Sequence, residues 1–247
     1  MNSLIRITAL GAAFLLTAIS SFSQNLQTDI IQKQDVMEGV VTNYYKAIGE
    51  QSRLYNGPEY NFYDPIIKGN AYYYDAVNFT PGTVEYDGFV YKNVPLMYDI
   101  YKDFVVVLLP NKSAKFRLLS DRVQSFDLLD HHFVYVNTDG EKDKQVNSGF
   151  FDQLYKGKVE VLIKRSKSIQ SSSGVSAVET YFTSKKQMYI KNKGRYYSVG
   201  GEGSLLNALK DKKKELKQYI RTNNIKFGDD EEQAMVKVAT YYDQITL

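Results

Sequence analysis

Short connections between consecutive strand-like segments constrain this chain more than any other feature. From Thr83 to Asn137, runs of apolar and β-branched residues are separated by short polar turns such as Ser120-Asp121. A parallel crossover needs about a dozen residues or more, so short turns force neighbouring strands to be antiparallel. The pattern therefore predicts an antiparallel, twisted β-meander of about eight to ten strands.

Turn residues and alternation place the individual strands. Asp87-Gly88 supplies the positive φ angles of a type I′ turn and predicts a hairpin. Lys156-Gly157-Lys158 and Asn192-Lys193-Gly194 are the expected tips of two later hairpins. The predicted strands are Thr83–Tyr86, Phe89–Tyr91, Met97–Leu109, Lys115–Leu119, Arg122–Leu129, Phe133–Asn137, the hairpin Gly149–Lys164, Gln187–Lys191 and Arg195–Val199.

Helical periodicity occurs at both ends of the chain. Asp29–Gln51 predicts an N-terminal helix, and a C-terminal helical hairpin should pack on the sheet. We expect Ser204 to cap a short helix, Asp211 to cap the next, and Asp229 with Glu232 to form a capping box for the last. The fold class is therefore α+β.

The segment Ser166–Ala177 is the poorest in large apolar side chains, and Ser171-Ser172-Ser173-Gly174 lies at its centre. This composition predicts a flexible surface loop. Such a loop serves as a lid or binding arm in some proteins and only connects elements in most.

The N-terminus has the form of a secretory signal peptide. Arg6 precedes an uncharged apolar stretch from Ile7 to Ile19, and Ser21-Phe22-Ser23 provides a small-residue cleavage site before Gln24. We predict a leader over residues 1–23, a β-rich domain with an N-terminal helix over 24–203, and a helical hairpin of the same domain over 204–247. The mature protein is expected to be soluble, in the periplasm or outside the cell, with outer-membrane association left open.

Charge and cysteine content argue against several functional classes. The formal charge of +3 falls by one when Arg6 is removed, which provides no basic field for a nucleic-acid partner. The chain has no Cys, so it has no disulfide, no thiolate metal site and no lipobox cysteine. After the leader, the longest apolar run, Phe104–Leu109, is too short to span a membrane.

Aromatic usage is skewed towards tyrosine, with 21 Tyr, 13 Phe and no Trp. Tyrosine suits a surface that is partly apolar and partly wet, and it also suits β-sheet cores. We hypothesise that Tyr55, Tyr86, Tyr91 and Tyr98 belong to a surface that binds a protein or glycan partner. The alternative is a β-rich core with phenol groups at its rim.

The sequence points to no catalytic or metal site and to no cofactor. His131 and His132 are neighbours in or near a strand, so their side chains should point to opposite faces and not share one ion. There is no Gly-x-Ser-x-Gly motif. The pairs Asp99 with Asp103 and Asp127 with Asp130 are the candidates for a hydrolase that uses two carboxylates.

Four stretches together resemble a large family of exported cell-envelope proteins from Bacteroidota. They are Leu54–Gly57, Tyr86–Asp99, Gly149–Tyr155, and the C-terminal part from Lys212–Leu216 through Tyr241-Tyr242-Asp243. The resemblance covers most of the mature chain. It implies export and a non-enzymatic role in the envelope, and it brings no catalytic residues.

The expected function is therefore an exported envelope protein that acts as a non-catalytic binding or structural module. Its partner would be an envelope protein, a glycan or a lipid. Two alternatives stay open: a periplasmic carrier of a lipid or other apolar ligand, which needs a continuous apolar cavity, and a carboxylate-dependent hydrolase, which needs two acids that converge in a cleft.

Overall fold

The computed structural model describes residues 52–139, 145–173 and 178–246. The predicted signal peptide and N-terminal helix lie outside the described residues. Residues Arg53–Leu247 form one compact unit, which holds both the sheet and the C-terminal helices.

Ten antiparallel strands of the described residues form one sheet. Their order across the sheet is β10-β9-β8-β7-β6-β5-β1-β2-β3-β4. The strands are β1 Thr80–Tyr86, β2 Phe89–Asp99, β3 Phe104–Leu108, β4 Lys115–Arg117, β5 Val123–Leu128, β6 His131–Val136, β7 Gly149–Lys156, β8 Val159–Ser173, β9 Val178–Asn192 and β10 Arg195–Val199.

The topology confirms the predicted α+β meander, but the sheet consists of two meanders that meet at β1 and β5. Strands β1 to β4 follow one another across the sheet, and so do β5 to β10, but β5 pairs with β1 rather than with β4. The connection between β4 and β5 contains a 3-10 turn, Ser120–Arg122. The two meanders therefore share β1 and β5 as their junction.

The predicted Asp87-Gly88 hairpin is confirmed, whereas the single strand Met97–Leu109 is wrong. Asp87 and Gly88 have φ angles of 52° and 77°, and Tyr86 pairs with Phe89. The second segment is divided between β2 and β3 because the Asp99 carboxylate accepts hydrogen bonds from the backbone amides of Tyr101 and Lys102. Such a side-chain bond to following amides favours a turn over a continuing strand.

The predicted loop Ser166–Ala177 is also wrong over the part that is described. Residues up to Ser173 continue β8 and pair with β9 as far as Ser173 opposite Val178. Residues 166–173 are mostly polar, and most of their side chains are exposed. They therefore lack the alternation of apolar and polar residues that predicts a strand.

Three α-helices follow the sheet in the described chain: α1 Glu202–Ala208, α2 Lys213–Thr222 and α3 Glu231–Ile245. Further short 3-10 turns are Arg53–Tyr55, Tyr73–Asp75 and Lys210–Lys212. The helix positions agree with the sequence, but the predicted caps do not.

Each cap differs because its predicted residue has another partner or position. Gly201, not Ser204, is the N-cap of α1, and its φ angle of 146° favours glycine. Asp211 accepts a hydrogen bond from the Tyr242 hydroxyl of α3 instead of capping α2. Asp230 caps α3 through the Gln233 amide, and Glu232 binds Arg165.

The helices cover one face of strands β7 to β10. Their apolar side chains form a fully buried cluster with alternate residues of the strands. The cluster includes Val159, Val161, Ile163, Met188, Ile190, Val199, Leu205, Leu209, Leu216, Met235, Val238, Ala239 and Tyr242. Burial of each large apolar side chain contributes about 1.5–3 kcal/mol.

The end of α3 is fixed to the β7–β8 turn through Asp243. Its Oδ2 atom accepts hydrogen bonds from the Lys158 amide at 2.6 Å and from the Tyr155 hydroxyl at 3.0 Å. A Cβ atom at Gly157 would lie 1.8 Å from this oxygen. A side chain at position 157 would therefore separate the turn from the Asp243 carboxylate.

We predict that Gly157→Ala lowers the free energy of unfolding by about 1–3 kcal/mol, because the added methyl group forces the turn away from Asp243. Urea denaturation measures the loss. The control is Gly203→Ala in α1, where the new Cβ meets no atom within 4 Å. An equal loss in the control, or an undiminished loss in an Asp243→Ala background, would contradict the explanation.

Candidate binding surface

The segment 59–79 exposes four large apolar side chains. Phe62 is 52% exposed, Ile66 78%, Tyr74 70% and Val77 61%. Single exposed apolar residues are common on protein surfaces, but several on one segment indicate an interaction site.

The buried carboxylate of Asp99 holds the first half of the segment. Its Oδ2 atom accepts hydrogen bonds from the hydroxyls of Tyr60 at 2.9 Å and Tyr63 at 2.6 Å. Burial, followed by these contacts, raises the pKa of both phenols above their usual value. The phenols therefore stay protonated and act as donors, and the segment is fixed to the end of β2.

The buried ammonium group of Lys167 holds the second half. Its Nζ atom donates to the Asn70 carbonyl oxygen at 2.8 Å and to the Asp75 carboxylate at 2.5 Å. Lys68 adds a backbone bridge to β9, because its amide donates to the Thr180 carbonyl at 2.9 Å and its carbonyl accepts from the Phe182 amide at 3.0 Å. The segment is thus attached to the β8–β9 ribbon at two places.

Tyr74 and Asp75 adopt left-handed backbone angles, with φ of 53° at each residue. Non-glycine residues rarely take this conformation, and the surroundings must hold them in it. The contact of Asp75 with Lys167 supplies that restraint. As a result the Tyr74 ring lies outside the core, 4.9 Å from the Tyr73 ring and 5.8 Å from the His131 ring.

Phe62 of the first half and Val77 of the second half line a pocket of about 360 Å³. We call Phe62, Val77 and Ile66 the apolar patch; Ile66 is an exposed residue of the same segment next to Pro65 and Ile67 of the lining. Tyr63, Tyr72 and Phe182 contribute aromatic rings to the lining of this pocket. Its lining consists of Phe62, Tyr63, Asp64, Pro65, Ile67, Gly69, Asn70, Ala71, Tyr72, Val77 and Phe182.

The tyrosines chosen from the sequence do not form this surface. Tyr86, Tyr91 and Tyr98 are buried, which corrects the expectation that they belong to an exposed face. Tyr98 packs against Phe126, and its hydroxyl donates to Asp103 at 2.6 Å. Tyr55 is partly exposed, and a role for it in ligand binding stays a prediction.

Sequence reasoning missed the apolar patch because it searched for tyrosines. A usable signal was present: Phe62, Ile66 and Val77 lie in short apolar pairs among turn formers such as Asp64-Pro65 and Gly69-Asn70. Apolar side chains at turns have few neighbours to bury them.

The two histidines bind different carboxylates, as their opposite directions predict. His131 Nδ1 lies 2.8 Å from buried Asp152, and His132 Nδ1 lies 2.6 Å from exposed Asp127. Within the described residues, no group of three or more His, Cys, Asp or Glu side chains is arranged to hold a metal ion.

Three of the carboxylates proposed for hydrolysis, Asp99, Asp103 and Asp127, bind different partners. Asp99 binds Tyr60 and Tyr63, whereas Asp103 binds Lys164 at 2.6 Å. Asp127 pairs with His132 on the surface. Their separate partners give the hydrolase alternative no support.

Asp152 lies at the centre of a buried charged cluster beside the second half of the segment. Its Oδ2 atom binds His131 and the Arg165 Nε atom, the latter at 2.8 Å. Arg165 also binds both carboxylate oxygens of Glu232, at 3.1 and 2.7 Å. This bidentate pair connects β8 to the start of α3.

We predict that Glu232→Gln destabilises the protein at pH 7 by about 1–3 kcal/mol. Burial raises the pKa of Glu232, but Arg165 and then Lys186 lower it, so the pKa lies below its usual value. The contribution of Glu232 is therefore complete above the unfolded-state pKa of about 4.3 and is lost as the pH falls through the folded-state value.

The measurement is urea denaturation of both proteins between neutral and acidic pH, where the difference between them should shrink. Glu231→Gln is the matched control, because Glu231 lies 3.5 Å from Lys186 and is more exposed. A difference that stays constant with pH would show that the charge of Glu232 does not act in this way.

We also predict that Lys167→Met speeds amide hydrogen exchange in residues 70–76 by about tenfold or more, because the loss of charged hydrogen bonds frees this part of the segment. Mass spectrometry of exchanged peptides measures the rates. Lys185→Met, an exposed site on the same ribbon, should leave them unchanged. Equal rates in the two variants would refute the role of Lys167.

Comparison of the chain with protein-family models, with curated proteins and with solved structures finds no match. Among the described helices, none is both long and apolar enough to cross a membrane.

Proposed function

We propose that the protein is an exported, non-catalytic binding module of the cell envelope. The apolar patch would bind an apolar side chain of a partner protein. Export and the envelope location are proposed from the signal-peptide pattern at Arg6 to Ser23 and from the resemblance described above. The single observation that supports the binding role is an exposed apolar patch on a segment that Asp99 and Lys167 hold in place.

Rigidity is what makes this patch suitable for binding. Asp99 and Lys167 hold the segment from its two halves, so its shape is set before a partner arrives. A preorganised site avoids the cost of ordering a loop on association, and more of the contact energy then appears as affinity.

The pocket size favours a protein side chain over a lipid. Its volume of about 360 Å³ is near the lower limit of about 300 Å³ for ligand pockets. Asp64 and Asn70 add polar groups to the lining, which suits the peptide backbone around an anchoring side chain. A lipid chain would need a deeper, continuous apolar cavity, and this pocket is an open depression.

The test is photo-crosslinking in the cell envelope. A photoreactive amino acid at Phe62 should give a defined protein adduct, and Val77→Asp should abolish it because a charge enters the pocket. Val90 is a matched control position, since it is 50% exposed compared with 52% for Phe62 and lies outside the pocket. The crosslinked chain should begin at Gln24.

Equal adducts at positions 62 and 90, or an adduct at position 62 that survives Val77→Asp, would refute the binding role. A chain that still begins at Met1 would refute export and leave the binding result to be judged separately. Thermal unfolding of the Val77→Asp protein checks that it is folded.

A further inference from the structure

A second depression lies on the face of the sheet opposite the helices. Successive residues of β8 point to opposite faces, so Val161 packs under the helices while Glu160 and Leu162 point away from them. The depression is an open groove of about 280 Å³. It is lined by residues of strands β6 to β10 and is separate from the apolar patch.

Three polar side chains of the groove are held by one another. The Lys191 ammonium donates to Glu160 Oε1 at 2.9 Å, and the Gln153 amide donates to Glu160 Oε2 at 2.8 Å. Both oxygens of Glu160 are therefore engaged. Burial lowers the pKa of Lys191, but Glu160 raises it overall, so Lys191 remains charged.

This arrangement favours a neutral ligand. The charges of Lys191 and Glu160 compensate each other, and an ionic ligand would have to separate them. Lys156 also lines the groove, but it is exposed, so water and salt screen its charge.

The same side chains offer hydrogen bonds of both kinds. An ammonium group has three donors; Lys191 uses one on Glu160 and one on Tyr196, which leaves one, and the amide of Gln153 keeps its carbonyl oxygen as an acceptor. A hydroxyl group both donates and accepts, so neighbouring hydroxyls of one ligand match donors and acceptors fixed side by side.

The floor beside these polar groups is apolar. Val134, Val136 and Leu162 line it, and Val136 and Leu162 are buried. The Tyr196 ring forms one wall, with its centroid 5.5 Å from Lys191 Nζ. The ligand must therefore present an apolar face next to a row of hydroxyls.

A sugar ring has this combination, since its C–H face is apolar and its edge carries hydroxyls. We infer that the groove is a binding site for a neutral oligosaccharide. Lys191 and Gln153 would bind its hydroxyls, and Val134 with Tyr196, which are both partly exposed, would contact the ring face. The site is independent of the apolar patch and adds a second ligand class to the proposed binding role.

The experiment is a calorimetric titration of the mature chain with maltohexaose, cellohexaose, chitohexaose and mannohexaose. At least one should bind, and Lys191→Met and Gln153→Ala should each weaken that binding by about tenfold, as expected for the loss of a hydrogen-bonding group. Lys185→Met is the matched control on the same strand and should bind normally. Thermal unfolding checks all variants.

Failure of all four sugars to bind at millimolar concentration would overturn the inference. So would equal weakening by Lys185→Met, or tighter binding of an acidic heparin hexasaccharide through Lys191. Val77→Asp should not alter sugar binding, so this result is separate from the fate of the apolar patch.

Discussion

The buried carboxylate of Asp99 is the interaction on which both the fold and the candidate surface depend. One carboxylate oxygen accepts hydrogen bonds from the backbone amides of Tyr101 and Lys102, which ends β2. The other accepts hydrogen bonds from the hydroxyls of Tyr60 and Tyr63, which fixes the segment 59–79. A buried charge is tolerated only when its hydrogen-bonding capacity is filled. Here four donors fill it: two amides that follow Asp99 closely in sequence, and two hydroxyls that lie 36 and 39 positions away.

Two further charged groups, buried Lys167 and partly buried Arg165, also connect distant parts of the chain. Lys167 attaches residues 70–75 to the β8–β9 ribbon, and Arg165 connects the same strand to α3 through Glu232. Removing one partner of such a group leaves the other unpaired, so these contacts define geometry more than they add net stability. They hold an exposed segment in place without burying its apolar side chains, and this rigidity supports the proposed binding role.

Much of the sheet could be predicted from sequence because hairpin turns are local. Asp87-Gly88 and Lys193-Gly194 have positive φ angles, which the glycine in each turn adopts without steric cost, and the strands beside them follow. The outer part of the β8–β9 ribbon, after Lys164 and before Gln187, was missed because its serine-rich residues show no alternation, and its pairing depends on the backbone ladder. The pairing of β5 with β1 was also beyond local reasoning, since it joins segments from two meanders.

The sequence by itself determined the antiparallel α+β architecture and the positions of the three C-terminal helices, because periodicity and turn chemistry act over a few residues. Only the tertiary structure decided which aromatic residues reach the surface. Tyr86 and Tyr98 entered the core and Phe62 stayed outside, although all three lie in similar aromatic-rich sequence. The physical reason is that exposure depends on where Asp99 and Lys167 hold the chain after folding, and those contacts join residues 36 to 97 positions apart.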